Sequence, residues 1–321
     1  MGFPAPVGSL IRRRVSSNST DPIAASTRYC AVFGQPVRHS ASPAMHNAAL
    51  AELGLDWRYL AFEVPPAQLQ QAIEGCRAMR FLGINLTVPH KLLAMDFMDQ
   101  LDFTAREWGA VNTVRFEAQT ETGEWVPLGR LGHEVSGQIR TVGFNTDADA
   151  ILRSLEEDLG LRPSGLRAVI LGAGGAGRVA ALRLASAGAA ELYLVNRTES
   201  KLGPLRDEIL RRFPATRVAL GYPTAPQVDL VLNATSLGLK ATDGLPFDPA
   251  QFRLQRSTTA YDMIYRPAET PFLAEARRQG CRVANGLGML LYQGARALEL
   301  WSGRPAPVEV MRSALKKQIY G

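Results

Sequence analysis

The sequence predicts an α/β protein of two domains. From residue 28 onward, short apolar runs alternate with amphipathic stretches, the order that builds βαβ units and parallel sheets. Near the middle of the chain, a glycine cluster at 172–177 stands between a strand pattern and a helix pattern, where a second sheet would begin. A chain of 321 residues with 46% apolar and 21% charged content can bury two cores of ordinary size, and it is not a disordered polymer.

The strand patterns fall at 29–33, 57–62, 83–88, 111–116, 167–171, 191–196, 217–220, 230–232, 259–262 and 282–284. The helix patterns fall at 43–53, 66–79, 146–159, 175–187, 199–213, 270–279, 287–302 and 308–319. Ser42 before Pro43 reads as a helix start, with a hydroxyl cap and a proline at the first helical position. Residues 117–142 read as a hairpin or surface excursion. The stretch E-E-D-L-G-L-R-P-S-G at 156–165 ends a helix before a new strand and marks a domain boundary. Residues 1–27 hold Arg12, Arg13 and Arg14 with a single acid, Asp21, and read as a disordered extension; an organelle transit peptide would share that composition.

Composition excludes several classes. No apolar run approaches the roughly 20 residues that span a bilayer. Cys30, Cys76 and Cys281 lie far apart with no C-x-x-C pair, against a disulfide framework or zinc site and in favour of a reducing, cytoplasmic setting. The net charge of +6 is not gathered on a long basic helix, so a small anionic ligand suits it better than nucleic acid. A small-molecule substrate is expected, with no membrane or nucleic-acid partner, and the working unit is a monomer or homodimer.

The motifs carry the chemistry. In F-G-Q-P-V-R-H-S-A-S-P-A-M-H-N (33–47), Ser40 and Ser42 stand between a strand end and a helix start, where free N–H groups converge on an anion. In G-I-N-L-T-V-P-H-K (83–91), Lys91 emerges at the carboxyl end of a strand, the edge where open α/β sheets bind ligands. G-A-V-N-T (109–113) puts the Asn112 amide near another strand, and G-F-N-T-D (143–147) opens a helix with Asp147. Lys91 and Asp147 would pair as acid–base groups, the carboxylate orienting the ammonium. As surface charge and helix-end acid alone, they would carry no chemistry.

Gly172, Ala173, Gly174, Gly175, Ala176 and Gly177 spell G-x-G-x-x-G between strand and helix, the setting of a Rossmann dinucleotide site. The following strand ends in Asn196-Arg197-Thr198, with Lys201 one turn on, where an NAD site would place an acid for the ribose hydroxyls. A guanidinium, a hydroxyl and an ammonium suit a 2′-phosphate, so NADP(H) is expected over NAD.

Together these segments resemble the shikimate dehydrogenase family. H-S-A-S-P-A-M-H, N-L-T-V-P-H-K, G-A-V-N-T, N-T-D, G-A-G-G-A-G and N-R-T occur in the family's order. So do N-A-T-S-L-G at 233–238, Y-D-M-I-Y at 261–265, and G-L-G-M-L at 286–290 followed by Gln293. The resemblance covers roughly residues 28–318. It implies reversible NADPH-dependent reduction of 3-dehydroshikimate to shikimate, a step of aromatic amino acid biosynthesis. It also implies that Ser40, Ser42 and Tyr265 bind a carboxylate, and that Thr87, Asn112, Asp147 and Gln293 bind ring hydroxyls. Lys91 with Asp147 would move the proton. The cofactor would follow the glycine turn with Asn196, Arg197, Thr198, Lys201 and Thr235, its nicotinamide near Met263, Gly286 and Met289.

The expected layout is an N-terminal α/β substrate domain (28–150) completed by C-terminal helices from about 290, and a Rossmann NADP-binding domain (151–289), with a cleft between them. The chain departs from the family at Ala148 and Ala150, where N-T-D-G-x-G is usual, and its stretch between Asn112 and Asp147 is long. Quinate or an amino analogue is the alternative substrate, and a non-catalytic ligand sensor is the alternative of another class. Paired serines favour shikimate over quinate, because quinate-preferring relatives tend to carry Thr at the second position. Retention of Lys91 and Asp147 speaks against the sensor.

Overall fold

The computed structural model describes residues 23–321 apart from 134, 136, 225, 226, 241, 256 and 257. Most of the N-terminal extension, residues 1–22, therefore lies outside the described residues. Its last part is tied to the fold: the Thr27 hydroxyl donates to Asp56 (2.9 Å) and accepts from the Ala24 N–H (2.9 Å).

The first sheet contains β1 (Arg28–Gly34), β2 (Trp57–Glu63), β3 (Gly83–Leu86), β4 (Gln100–Leu101), β5 (Thr113–Gln119), β6 (Trp125–Pro127) and β7 (Ile139–Phe144). Between them lie α1 (Ser42–Glu52), α2 (Leu69–Ala78), α3 (His90–Leu93) and α4 (Phe103–Trp108). The strand order is β2-β1-β3-β5-β7-β4, with β6 beside β5. β1 runs parallel to β2 and β3, but β5 is antiparallel to both β3 and β7. The first sheet is therefore mixed, with parallel pairs at β1, β2 and β3 and antiparallel pairs around β5. Among the described residues β5 is joined to β7 through β6 and one short helical turn at Leu128–Arg130, with no crossover helix, and an antiparallel pair needs none.

β7 is the main element that the sequence patterns hide. Its residues I-R-T-V-G-F carry a charge and a glycine, and they follow a polar stretch that reads as surface. The charge is neutralised across the sheet: Arg140 pairs with buried Glu117 (2.7 Å), which also meets Arg115, and its guanidinium lies 4.3 Å over the Trp125 ring. The short α4 was missed as well, though Asp102 caps it by accepting from the Thr104 N–H (2.9 Å) and Gly109 ends it at φ +65°.

α5 (Asp147–Leu159) leads into the second sheet. That sheet holds β8 (Arg167–Leu171), β9 (Glu191–Val195), β10 (Arg217–Leu220), β11 (Leu230–Asn233), β12 (Thr259–Asp262) and β13 (Arg282–Asn285), with α6 (Gly175–Ser186), α7 (Leu202–Arg212) and α8 (Pro271–Arg278). The order β10-β9-β8-β11-β12-β13 is parallel throughout; the chain steps outward from β8 to β10, then crosses back to set β11 on the other side of β8, as in doubly wound nucleotide folds.

The chain then returns. α9 (Leu287–Ser302) and α10 (Val308–Tyr320) bury Leu291, Leu298, Trp301 and Leu315 in the core of the first sheet. Trp301 donates its indole N–H to the Val114 carbonyl (2.9 Å). A Cβ on Gly83 would overlap this indole, so the glycine that opens β3 makes room for α9. α5 serves both cores, with Ala150 on the first and Ile151 and Leu155 on the second. Trp108 at the end of α4 packs into the second core, where Arg212 stacks on its ring and pairs with Glu107.

Candidate active site

A cavity of about 360 Å³ opens where the carboxyl ends of both sheets face each other. From the first sheet it takes Ser40 and Ser42 after β1, and Thr87 and Lys91 after β3. α5 supplies Asp147, the Rossmann side supplies Met263, Tyr265 and Gly286, and α9 supplies Met289 and Gln293.

Lys91 Nζ donates to Asp147 Oδ2 at 2.7 Å, across 56 residues of sequence. Lys91 stays one-third exposed (34%) and Asp147 is more covered (16%), and both line the cavity. The Lys91 carbonyl accepts from the Val111 N–H (2.9 Å), fixing the short α3 against the strand region that carries Asn112. Asp147 is the first residue of α5, where a negative charge also favours the helix end.

On the cavity wall supplied by Ser40 and Ser42, α1 begins one residue before Pro43, with Ala41 as its cap and no side-chain cap bond. The Ser42 hydroxyl is therefore not the helix cap that the sequence pattern suggested. Ser40 Oγ instead accepts from the Ser42 N–H at 3.3 Å, so both hydroxyls line the cavity beside the helix start. Burial pushes the Tyr265 phenol up from its ordinary pKa, which keeps it a neutral hydrogen-bond donor. Gln293 donates to the Leu290 carbonyl of its own helix (2.8 Å).

Asn112 is placed differently from a cavity-lining residue. It is 1% exposed, and its amide is engaged with Thr146: Oδ1 accepts from the Thr146 N–H (2.7 Å) and Nδ2 donates to Thr146 Oγ1 (3.0 Å). It braces the residue before Asp147. Asn85 and His39 line the cavity although sequence reasoning did not select them. The signal for Asn85 was present: an amide inside the apolar run G-I-N-L is out of place unless it is bonded.

The second cavity, about 1250 Å³, lies over the carboxyl end of β8 and β9. Gly172 turns there at φ +106° with the Ala234 backbone 3.1 Å from where a Cβ would sit, and a Cβ on Gly177 would strike the Gly172 carbonyl. Those two glycines serve the tight turn and the close helix–strand packing. A Cβ on Gly174 or Gly175 would meet no protein atom within 4 Å, so packing does not demand these two; their open backbone leaves room for close approach by a pyrophosphate. Ala176 follows in the first turn of α6.

Asn196 joins the two loops of this site: its Oδ1 accepts from the Ala173 N–H (3.0 Å) and its Nδ2 donates to the Thr198 carbonyl (2.8 Å). Its amide thus shapes the loop, leaving the cationic work to its neighbours. Arg197, Thr198 and Lys201 are exposed on the cavity wall, with Thr235 across from them. Neither Arg197 nor Lys201 pairs with an acid among the described residues. An open glycine turn beside unpaired cations fits a dinucleotide that carries a further phosphate.

Family models agree with this geometry. Residues 32–114 match the shikimate dehydrogenase substrate binding domain, and residues 286–316 match the shikimate 5′-dehydrogenase C-terminal domain. The chain is 44% identical over 304 residues to the shikimate dehydrogenase (NADP+) of Moorella thermoacetica, covering 92% of this chain and 95% of that protein. Among solved structures, a shikimate dehydrogenase in complex with NADP+ superposes with a TM-score of 0.79 at 32% identity, covering 94% of this chain and 98% of the other. The Thermus thermophilus shikimate 5-dehydrogenase in complex with NADP(H) and shikimate gives a TM-score of 0.75 at 36% identity, covering 91% and 100%. With fold, site and relatives in agreement, the chain belongs to the shikimate dehydrogenase family.

Proposed function

We propose that this chain reduces 3-dehydroshikimate to shikimate, reversibly, with NADPH. The observation that carries this reading is the 2.7 Å Lys91–Asp147 pair at a cavity that Ser40 and Ser42 also line. Ser40, Ser42 and Tyr265 hold the substrate carboxylate, and Thr87, Gln293 and Asp147 meet the ring hydroxyls. Asn112 acts through Thr146. The cofactor, held by the glycine turn, Arg197, Thr198, Lys201 and Thr235, supplies the hydride. As negative charge grows on the carbonyl oxygen, the Lys91 ammonium stabilises it and gives up a proton, so the C=O becomes CH–OH. Met263, Gly286 and Met289 form the wall between the two ligands. The three separated cysteines, all buried and free, support a reducing, cytoplasmic setting, and the working unit is a monomer or homodimer. The decisive assay compares initial rates on shikimate and quinate, each with NADP and NAD. Fast turnover of shikimate with NADP is expected, and turnover of neither acid would refute the reading.

Two mutations test the ligand sites separately. Arg197→Ala raises KM for NADP by roughly ten- to a hundredfold, the worth of a charge-assisted hydrogen bond, and leaves KM for NAD nearly unchanged. Equal loss for both cofactors would place the 2′-phosphate elsewhere. Ser42→Ala weakens shikimate binding and spares NADP binding in calorimetric titrations; unchanged shikimate affinity would move the carboxylate site.

A further inference from the structure

Tyr59 is a residue that the site description leaves unused, and it bonds from behind to a residue of the cavity wall, Asn85. It lies mid-strand in β2 and is 1% exposed. Its hydroxyl donates to Asn85 Oδ1 at 2.7 Å, and the Ser42 hydroxyl faces the same phenolic oxygen. Asn85 passes the contact on: its Nδ2 donates to Thr113 Oγ1 (3.0 Å) and to the Asn112 carbonyl (3.3 Å). Thr113 Oγ1 meets Thr146 Oγ1 (3.2 Å), and Asn112 receives the Thr146 N–H (2.7 Å), one residue before Asp147. A continuous buried chain of hydrogen bonds therefore runs from the Tyr59 hydroxyl to Thr146, the residue that precedes Asp147.

The direction of the chain is set by chemistry. Both protons of the Asn85 amide are taken by acceptors, so its oxygen needs a donor, and the phenol is that donor. Rotating the amide would set its oxygen against the Asn112 carbonyl, an acceptor facing an acceptor. The phenol itself is clamped. The His46 ring lies flat on it at 4.1 Å and 3°, and Trp301 closes in at 6.2 Å. Its backbone is bolted to α1 in both directions: Asn47 Nδ2 donates to the Tyr59 carbonyl, and the Tyr59 N–H donates to Asn47 Oδ1, each at 2.9 Å. α1, which carries Ser42, is thereby locked to the strand that carries the phenol.

We propose that Tyr59 is a positioning residue for the reaction: through its hydroxyl it holds Ser42 and the cavity-lining Asn85 in register, and through Asn85 it braces the Thr146–Asp147 turn. This rests on the proposed activity. Its test is Tyr59→Phe, which keeps the ring and its stack and removes only the hydroxyl. Loss of one buried hydrogen bond that leaves its acceptor unsatisfied corresponds to about tenfold or more. The expected result is a fall of that size in kcat/KM for shikimate with KM for NADP unchanged. In a Ser42→Ala background the same change should have a smaller effect, because the two residues act through one oxygen. A purely structural tyrosine would lower the melting temperature and leave the kinetic constants of the folded enzyme at parent values, and that outcome overturns the proposal. If Tyr59→Phe does not fold, Asn85→Asp carries the same test, since it keeps the acceptor for the phenol and removes the donor to Thr113. An unmodified enzyme that turns over neither acid refutes the activity, and Tyr59's role with it. An active parent with an unimpaired Tyr59→Phe variant refutes Tyr59's role alone.

Discussion

Lys91→Ala lowers kcat by roughly 10²–10⁴-fold and changes KM for shikimate and NADP far less, because the charge that Lys91 stabilises exists only in the transition state. Asp147→Asn loses rate as well, since the amide keeps the shape of the residue but not the charge that orients the ammonium at 2.7 Å. The double variant loses less than the product of the two single effects, because the pair acts as a unit. Steady-state rates on folded, NADP-binding variants measure all three. A surface lysine and a helix-end aspartate would instead give near-normal turnover for Lys91→Ala and only a stability loss for Asp147→Asn. A Lys91→Ala enzyme within about threefold of the parent, short of the acid–base range, ends the proposal.

Stability falls steeply on mild acidification, and His46 is the main reason. The residue is fully buried, neither ring nitrogen has a hydrogen-bond partner among the described residues, and burial pushes its pKa down from 6.5 to about 3. Burial lowers the His90 pKa as well. A lowered histidine pKa means that the unfolded chain takes up the proton first. Stability is therefore intact above pH 6.5 and declines as the pH drops toward 3, by about 1.4 kcal/mol per unit from His46 alone. Between pH 6.5 and pH 4 that is roughly 3 kcal/mol, a large share of a typical folding free energy. Urea unfolding at a series of pH values measures the slope. His46→Phe keeps a ring against Tyr59 and cannot titrate, so its curve should be flatter by that amount over the same window. Parallel curves for parent and variant would show that His46 titrates normally.

Much of the chemistry was legible in the sequence, because turn and loop chemistry is local. G-A-G-G-A-G between strand and helix, N-R-T without an acid, and N-L-T-V-P-H-K each state a backbone requirement or a charge within a few residues. Periodicity likewise located the parallel strands of the second sheet, since each is a short run rich in apolar residues and β8, β9, β12 and β13 lead into helices. Where charge or glycine interrupts a run, the reading fails. β7 was hidden for this reason, because the pairing of Arg140 with Glu117 forms only once the strands lie side by side.

The sequence by itself determined which residue types stand at the ends of strands and helices: the serines, Lys91, Asp147, the glycine turn and the cations after β9. Only the tertiary structure decided which of them meet. It brought Lys91 to Asp147 across 56 residues, and it turned Asn112 away from the cavity onto Thr146. It also spent the Asn196 amide on loop shape, and it sent α9 back to the first sheet so that Met289 and Gln293 line the cavity. The physical reason is range. Propensity, capping and glycine geometry act over a few residues, whereas a contact between distant residues depends on strand order and on which buried polar groups find partners first.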